Sequence, residues 1–305
     1  MSESGKIRVG VEISTSALRA ASIGPDGVLA SKRTIPFDAS EQTSPQLIAL
    51  IGDLKKDLVA FDEIGIAVPG LVDRGSGRIA FSAHFPEHSN VDLVKDVRDE
   101  TGLSASIEND ANAAAYGEFI LGAARGVNNF FYATLGGGVG GAFIFGGEIW
   151  RGVSGFAGEF GYVPINSEGM RLEEVASTAN ILRRTRSRFH QDSTSSLNKL
   201  GEESITLTDI IAAAGEDDDF AQMMLERTGV YVGTAIASVI NLLNPERIVV
   251  GGEIMQAKQL VLDAIIERAR ELSFAPSFDA ASIVEGELGD YAAAAGAALL
   301  TGQAK

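Results

Sequence analysis

The chain has no cysteine, a single tryptophan and only three histidines. Without cysteine there is no disulfide, no thiolate nucleophile and no cysteine-bound zinc. No apolar run reaches the about 18 residues that a membrane-spanning helix needs. The start, MSESGK, lacks an apolar segment of signal-peptide length. Basic residues are scarce as well: 25 Lys and Arg stand against 41 Asp and Glu, a formal charge of −16. Such a chain repels nucleic acid and anionic lipid surfaces. The expectation is a cytoplasmic, soluble protein with neither nucleic acid nor membrane as partner. His84 and His88 are spaced to share a metal only on a helix, but SAHFPEHSN contains proline and reads as a loop.

What is present suits a soluble enzyme of about two domains: 305 residues, 45% hydrophobic and 22% charged, with 35 glycines. Three β-type segments open the chain at 7–13, 17–23 and 28–35, with PDG at 25–27 as a turn. A helix is expected at 45–60, a strand at 63–70, a turn at 74–77, a short strand at 79–82 and a helix at 91–102. A strand at 104–108 then runs into a helix from Asp110. A second unit begins near 125 with strands at 128–135 and 139–146, followed by polar sequence to about 172. Helices fill 173–244, the last starting after EDDD (216–219), where acids favour a helix N-terminus. A strand at 247–252, a helix at 257–272, a strand near 282–288 and a helix at 290–301 complete the chain. Strands alternating with helices predict mixed sheets with helices on their faces.

The stretch IENDANAAAYGE (107–118) is the most telling. A strand ends in Glu108, Asn109 and Asp110 and a helix follows at once. Open α/β sheets bind ligands in the crevice at such carboxyl ends. An ionised Asp beside an amide suits the holding of a hydroxyl group. Equally, Asp110 suits a helix cap, since Asp and Asn are preferred there. TLGGGVGG (134–141) reads either as a glycine turn that lets backbone N–H groups approach a phosphate or as a plain tight hairpin. It lacks the Walker lysine and the helix of a dinucleotide fingerprint. VGVEISTS (9–16) ends a strand in Glu12, followed by Ser14, Thr15 and Ser16; a carboxylate there suits a hydrated magnesium ion or only a hairpin turn. VVGGE (249–253) offers a second glycine turn before a helix. Glu159, flanked by glycines, and Glu173 are of the kind that grips sugar hydroxyls, though Glu173 and Glu174 equally suit a first helical turn.

Taken in order, GIAVPGLVD (65–73), NVDL (90–93), IENDANAAAYGE, TLGGGVGG, FAGEFGY (156–162), LEEVAS (172–177), NPERIVVGGEI (244–254) and GDYAAAAGAALL (289–300) resemble the ROK family, named for repressors, open reading frames and kinases. The resemblance runs from about residue 7 to 300. It implies the two-domain actin-like ATPase fold, ribonuclease-H-like, an α/β class of mixed sheets flanked by helices. One domain would span 1–122 plus 290–305, the other 123–289, with substrate in the cleft between them.

The function so implied is an ATP- and Mg²⁺-dependent hexose kinase, glucokinase-like, acting on the 6-hydroxyl of glucose or an N-acetylhexosamine-like sugar. By resemblance Asp110 is the catalytic aspartate; Gly70, Asn109, Asp110, Glu159 and Glu173 bind the sugar. Glu12, Ser14, Thr15 and Ser16 form the first phosphate loop, with magnesium near Glu12. Gly136, Gly137, Gly138 and Gly140 form the second loop, and Gly251 and Gly252 lie on the adenosine side. A homodimer is the implied assembly. Three departures qualify this picture. The family's Asp-x-Gly-Gly-Thr-Lys reads Glu12–Ile13–Ser14–Thr15–Ser16–Ala17, without its glycines and lysine. Tyr162 replaces the histidine beside the zinc motif, and the cysteine segment is absent, so no zinc is expected. Ala83–His84 replaces Pro-Asn, which would bring His84 near the sugar. A non-catalytic sugar-binding protein that has lost ATP use, or a kinase with another donor such as polyphosphate, fits the altered loop. A repressor would need a DNA-binding helix-turn-helix ahead of a strand that starts at about residue 7.

Overall fold

The computed structural model describes residues 6–58, 61–73, 76–82, 85 and 91–302. His84, with Ala83, and His88 lie outside the described residues. The chain forms two compact units: 1–126, 142–157 and 287–305 make the first, and 127–141 with 158–286 the second.

The first unit is built on strands β1 (Arg8–Ile13), β2 (Ala17–Ile23), β3 (Leu29–Pro36), β4 (Glu63–Val68) and, after the short β5 (Leu71–Asp73) and β6 (Arg78–Phe81), β7 (Ser104–Asn109). The sheet order is β3-β2-β1-β4-β7, with β1, β4 and β7 parallel and β2 and β3 antiparallel additions. One face is covered by α1 (Thr43–Asp57) and α2 (Leu93–Thr101), whose Leu47, Leu50, Ile51, Leu54, Leu93 and Val97 meet Val9, Val11, Ile13, Ile64 and Ile66. β1 and β4 are buried almost throughout, as strands covered on both faces are.

The other face carries α3 (Asp110–Leu121) and α10 (Ala292–Leu300), the latter mostly alanine. Small residues let backbones come very close. A Cβ on Gly10 would collide with the Ala294 carbonyl, one on Gly65 with the Ala297 carbonyl, and one on Gly296 with the Ala113 carbonyl. Glu118, 1% exposed on α3, ties this layer together by accepting the backbone N–H groups of Ala123, Glu287 and Leu288. Burial raises its pKa, and those three bonds lower it again in part.

In the second unit β8 (Phe130–Leu135), β11 (Arg247–Gly251) and β12 (Ser282–Glu285) pair in parallel through β11. Strand β9 (Val139–Phe145) begins in this unit, and its end pairs with β10 (Glu148–Trp150) among the residues grouped with the first. Helices α4 (Glu173–Ala176), α5 (Thr178–Arg186), α6 (Leu207–Gly215), α7 (Asp219–Leu243), α8 (Gln259–Leu272) and α9 (Ala275–Asp279) complete it. The acidic run does start α7: Asp218 accepts the N–H of Ala221 at 3.0 Å as its cap.

The expected elements differ from these mainly at their ends. The helix expected at 45–60 spans Thr43–Asp57, and the strand near 282–288 stops at Glu285. The last helix starts at Ala292, after a 3₁₀ turn at Gly289–Tyr291. β10 and α9, three and five residues long, carry too little pattern to be anticipated. Among the described residues no helix is long and apolar enough to cross a membrane.

Candidate functional site

Strands β1, β4 and β7 run parallel, so their carboxyl ends lie at one edge of the first unit's sheet. Their register sets one row across it: Arg19 opposite Glu12, Glu12 opposite Ala67, Ala67 opposite Glu108. Paired residues share a face of a sheet, so this row presents two acids and a cation on the α3 and α10 side.

Two residues beyond Glu108 comes Asp110. The cap of α3 is Asn109, whose Oδ1 accepts the N–H of Asn112 at 3.0 Å. Asp110 is therefore the first residue of the helix and not its cap. Its Oδ1 accepts the N–H of Ala111 at 2.9 Å and the Asn109 amide at 3.0 Å, which orients the carboxylate. The same Asn109 amide donates to the Gly70 carbonyl at 3.0 Å, which draws the 69–70 bend to the junction. Gly70 has φ +124°, and a Cβ there would overlap the Phe81 carbonyl, so only glycine fits.

Glu108, which no motif singled out for a role, organises this corner. Its Oε1 accepts the Asn109 N–H at 3.0 Å and the Asn112 amide at 3.1 Å. Its Oε2 takes the Arg151 guanidinium at 2.5 Å. Arg151 belongs to the loop after β10, and nothing in its sequence surroundings pointed to this partner.

Glu12 is held differently. Its carboxylate, 16% exposed, lies 3.5 Å from Nη1 of Arg19, and Oε2 is buried without a hydrogen bond. Burial pushes the Glu12 pKa up to about 7; Arg19 opposes that, while the charges of Asp110 and Asp290 add to it. The Coulomb effect puts Glu12, Asp110 and Asp290 in one electrostatic neighbourhood. The loop that follows closes on itself: the Ser14 hydroxyl donates to the Ala17 carbonyl at 2.9 Å and accepts its N–H at 3.1 Å. Thr15 and Ser16 are exposed.

In the second unit the two glycine turns come together. A Cβ on Gly252, at φ +93°, would overlap the Leu135 backbone, and one on Gly136 would touch the Glu253 side chain at 3.4 Å. Thr178, first residue of α5, donates its N–H to the Gly136 carbonyl at 2.8 Å and its hydroxyl to Glu253 at 2.6 Å. A Cβ on Gly251 would strike the Tyr132 hydroxyl. Gly136, Gly251 and Gly252 thus belong to one place; Glu253, the acid of the VVGGE stretch, and Thr178, which no motif included, join them. Gly137 and Gly138 complete the first turn, where the Gly136 N–H donates to the Gly138 carbonyl at 3.0 Å, and Gly140 follows as the second residue of β9.

Glu159 and Glu173 also meet. Partial burial and then the charge of Glu173 raise the Glu159 pKa. Glu173 Oε2 accepts the N–H of Val139 at 2.9 Å, which anchors the glycine turn to α4. Tyr162 stands half exposed with the Arg171 guanidinium 4.6 Å above its ring, across a short hairpin closed by a Pro164–Arg171 bridge. Two carboxylates within one another's field can together accept several hydroxyl hydrogen bonds.

The family model described as "ROK family" matches residues 8–304. A glucokinase of Halalkalibacterium halodurans is 31% identical over 318 aligned residues, 97% of this chain and 94% of the relative. A xylose repressor of Bacillus spizizenii is 31% identical over 210 residues, and the matched part is about half of it, 51%. Among solved structures, a ROK family glucokinase from Streptomyces griseus, crystallised with glucose and AMPPNP, superposes with a TM-score of 0.85. It is 26% identical and is covered to 99%, with 97% of this chain. The fold is accordingly the α/β, actin-like ATPase fold.

Proposed function

Because this chain belongs to the ROK family, we propose that it is a sugar kinase, transferring the γ-phosphoryl group of ATP to the 6-hydroxyl of a hexose such as glucose. The observation that carries this reading is the division of labour at the β7–α3 junction. Asn109 caps the helix, and Asp110 is held by two bonds with its carboxylate aimed by its neighbours. The similarity to glucokinases over nearly the whole chain supports it.

As a carboxylate, Asp110 accepts the proton of the sugar hydroxyl while that oxygen attacks the γ-phosphorus and the bond to the leaving diphosphate breaks. Phosphoryl transfer needs little more from a protein than position and charge. Glu159 and Glu173 accept hydrogen bonds from sugar hydroxyls, and Gly70, tied to Asn109 by its carbonyl, lies beside the sugar. Asn109, whose amide already serves Gly70 and Asp110, acts on the sugar mainly by holding both in place. Gly136–Gly138 and Gly140, with Gly252, leave backbone accessible to the nucleotide, and Gly251 lies buried behind them against Tyr132.

Magnesium would neutralise phosphate charge when bound. Among the described residues no group of three acids or histidines converges as a resident metal site. Glu12, which faces the Arg19 guanidinium at 3.5 Å, would hold the ion through water and not directly. The residues therefore fit an ion carried in on the nucleotide phosphates, which usually keeps several waters.

A second reading, a sugar-binding protein without turnover, is favoured by the self-closed Ser14–Ala17 loop and by the repressor relatives. The two separate on one experiment. Wild-type protein and Asp110→Asn are assayed for ADP release with MgATP and a panel of hexoses, and sugar affinity is read by calorimetry. The kinase reading expects turnover with at least one sugar, reduced about 10²–10⁴-fold in the variant with binding retained. Sugar binding without any turnover establishes the second reading instead.

A further inference from the structure

The first loop, Glu12–Ala17, holds one acid and three hydroxyls but no cation. Two arginine–glutamate pairs lie at the carboxyl edge of this sheet, and they are not alike. Arg151 grips Glu108 at 2.5 Å and is fastened a second time by the Ile149 carbonyl at 3.3 Å. Arg19 approaches Glu12 only to 3.5 Å, longer than the about 2.7–2.9 Å of a charge-assisted hydrogen bond. Its side chain is 17% exposed, and the pair with Glu12 is its one partner among the described residues. A guanidinium has five donors in a fork that matches two phosphate oxygens. A loosely held guanidinium, in the same row of the sheet as Glu12, whose carboxyl feels the charge of Asp110, is placed to change partners.

We infer that Arg19 is a catalytic residue: its guanidinium leaves Glu12 and holds the oxygens of the transferring phosphoryl group beside Asp110. This rests on the kinase reading for its chemistry. The sugar oxygen forms the new bond to phosphorus, and the bond to the nucleoside diphosphate breaks with its electron pair staying on the diphosphate. The hydroxyl proton passes to Asp110, and Arg19 keeps all its protons throughout.

The test uses the full chain with Arg19→Met and Arg19→Lys, assayed with MgATP and the best sugar. Calorimetry measures glucose and glucose 6-phosphate in parallel. For Arg19→Met, kcat should fall about 10²–10³-fold, the effect of removing one preorganised donor from a transition state. Glucose affinity should hold, while affinity for glucose 6-phosphate falls about tenfold or more, as for a lost charged hydrogen bond. Arg19→Lys, which keeps the charge should the methionine variant fail to fold, should recover part of both.

An unchanged kcat in Arg19→Met beside an active wild type would overturn the inference and leave the kinase reading standing. An inactive wild type would overturn the kinase reading and the catalytic role of Arg19 with it, and glucose 6-phosphate affinity that still depends on Arg19 would then leave it a phosphate-binding residue only. Loss of glucose binding in step with turnover, or no effect of Arg19 on glucose 6-phosphate, would reduce Arg19 to a structural partner of Glu12.

Discussion

Glu12→Gln keeps the shape of the side chain and removes its charge, and its consequence can be worked out. The folded protein raises the Glu12 pKa from 4.5 to about 7. At about 1.4 kcal/mol per unit, that amounts to about 3 kcal/mol of folding free energy. Below pH 4.5 the proton is bound in both folded and unfolded chains, and the group costs nothing. Between 4.5 and about 7 the unfolded chain releases the proton while the folded chain keeps it, so stability falls as pH rises. Above about 7 the full penalty is present. Glutamine never ionises, so the stability difference between variant and wild type should grow by about 3 kcal/mol in the variant's favour from pH 4.5 to 8.

Trp150, the single tryptophan, packs edge-on against Phe143 and Phe145 within the first unit. Its fluorescence in urea therefore reports the unit that contains Glu12. Taking the difference between the two proteins cancels every titration they share. A difference that stays level across this range would mean that Glu12 ionises at its ordinary value, and the burial argument would be wrong.

Two further substitutions test the packing of the same unit. Gly296→Ala drives a methyl group into the Ala113 carbonyl of α3. Backbone on both sides cannot yield as a side chain would, so a loss of about 3 kcal/mol or more in urea melts is expected, the upper end for overpacking; a loss below 1 kcal/mol would show that the helices separate easily. Glu118→Gln leaves one oxygen to serve the three N–H groups of Ala123, Glu287 and Leu288. It should cost about 1–3 kcal/mol, the range for buried groups left unsatisfied. Faster amide exchange at Glu287 and Leu288 should accompany it, and unchanged protection there would refute the tie.

Much of this was legible in the residues. The largely apolar runs VGVEI and IGIAV mark strands because both faces are covered, and the Asn109–Asp110 junction stands out as a strand running straight into an alanine helix. The two open readings of Asp110, cap or chemistry, were of the kind a sequence leaves undecided, since Asn and Asp both cap well. Geometry assigned the cap to Asn109. Glu108, named only as a strand end, and Arg19 and Arg151 were given no role for a common reason: each owes it to a partner remote in sequence, or on the neighbouring strand. The hydroxyls of the first loop looked available, yet Ser14 spends its own on the turn, a local bond that competes with any ligand.

By itself, then, the amino-acid order determined the fold class, the family resemblance and the acids and glycines at each turn, because periodicity and backbone freedom are local properties. Only the tertiary structure decided which of them act together. The register of β1, β4 and β7 set Arg19, Glu12 and Glu108 in one row, and the close approach of α10 left room for glycine alone at Gly10, Gly65 and Gly296. Burial of Glu12 beside two other acids turned an ordinary carboxyl into one poised near neutral pH. Those outcomes depend on distances and desolvation among groups that the chain brings together only when folded.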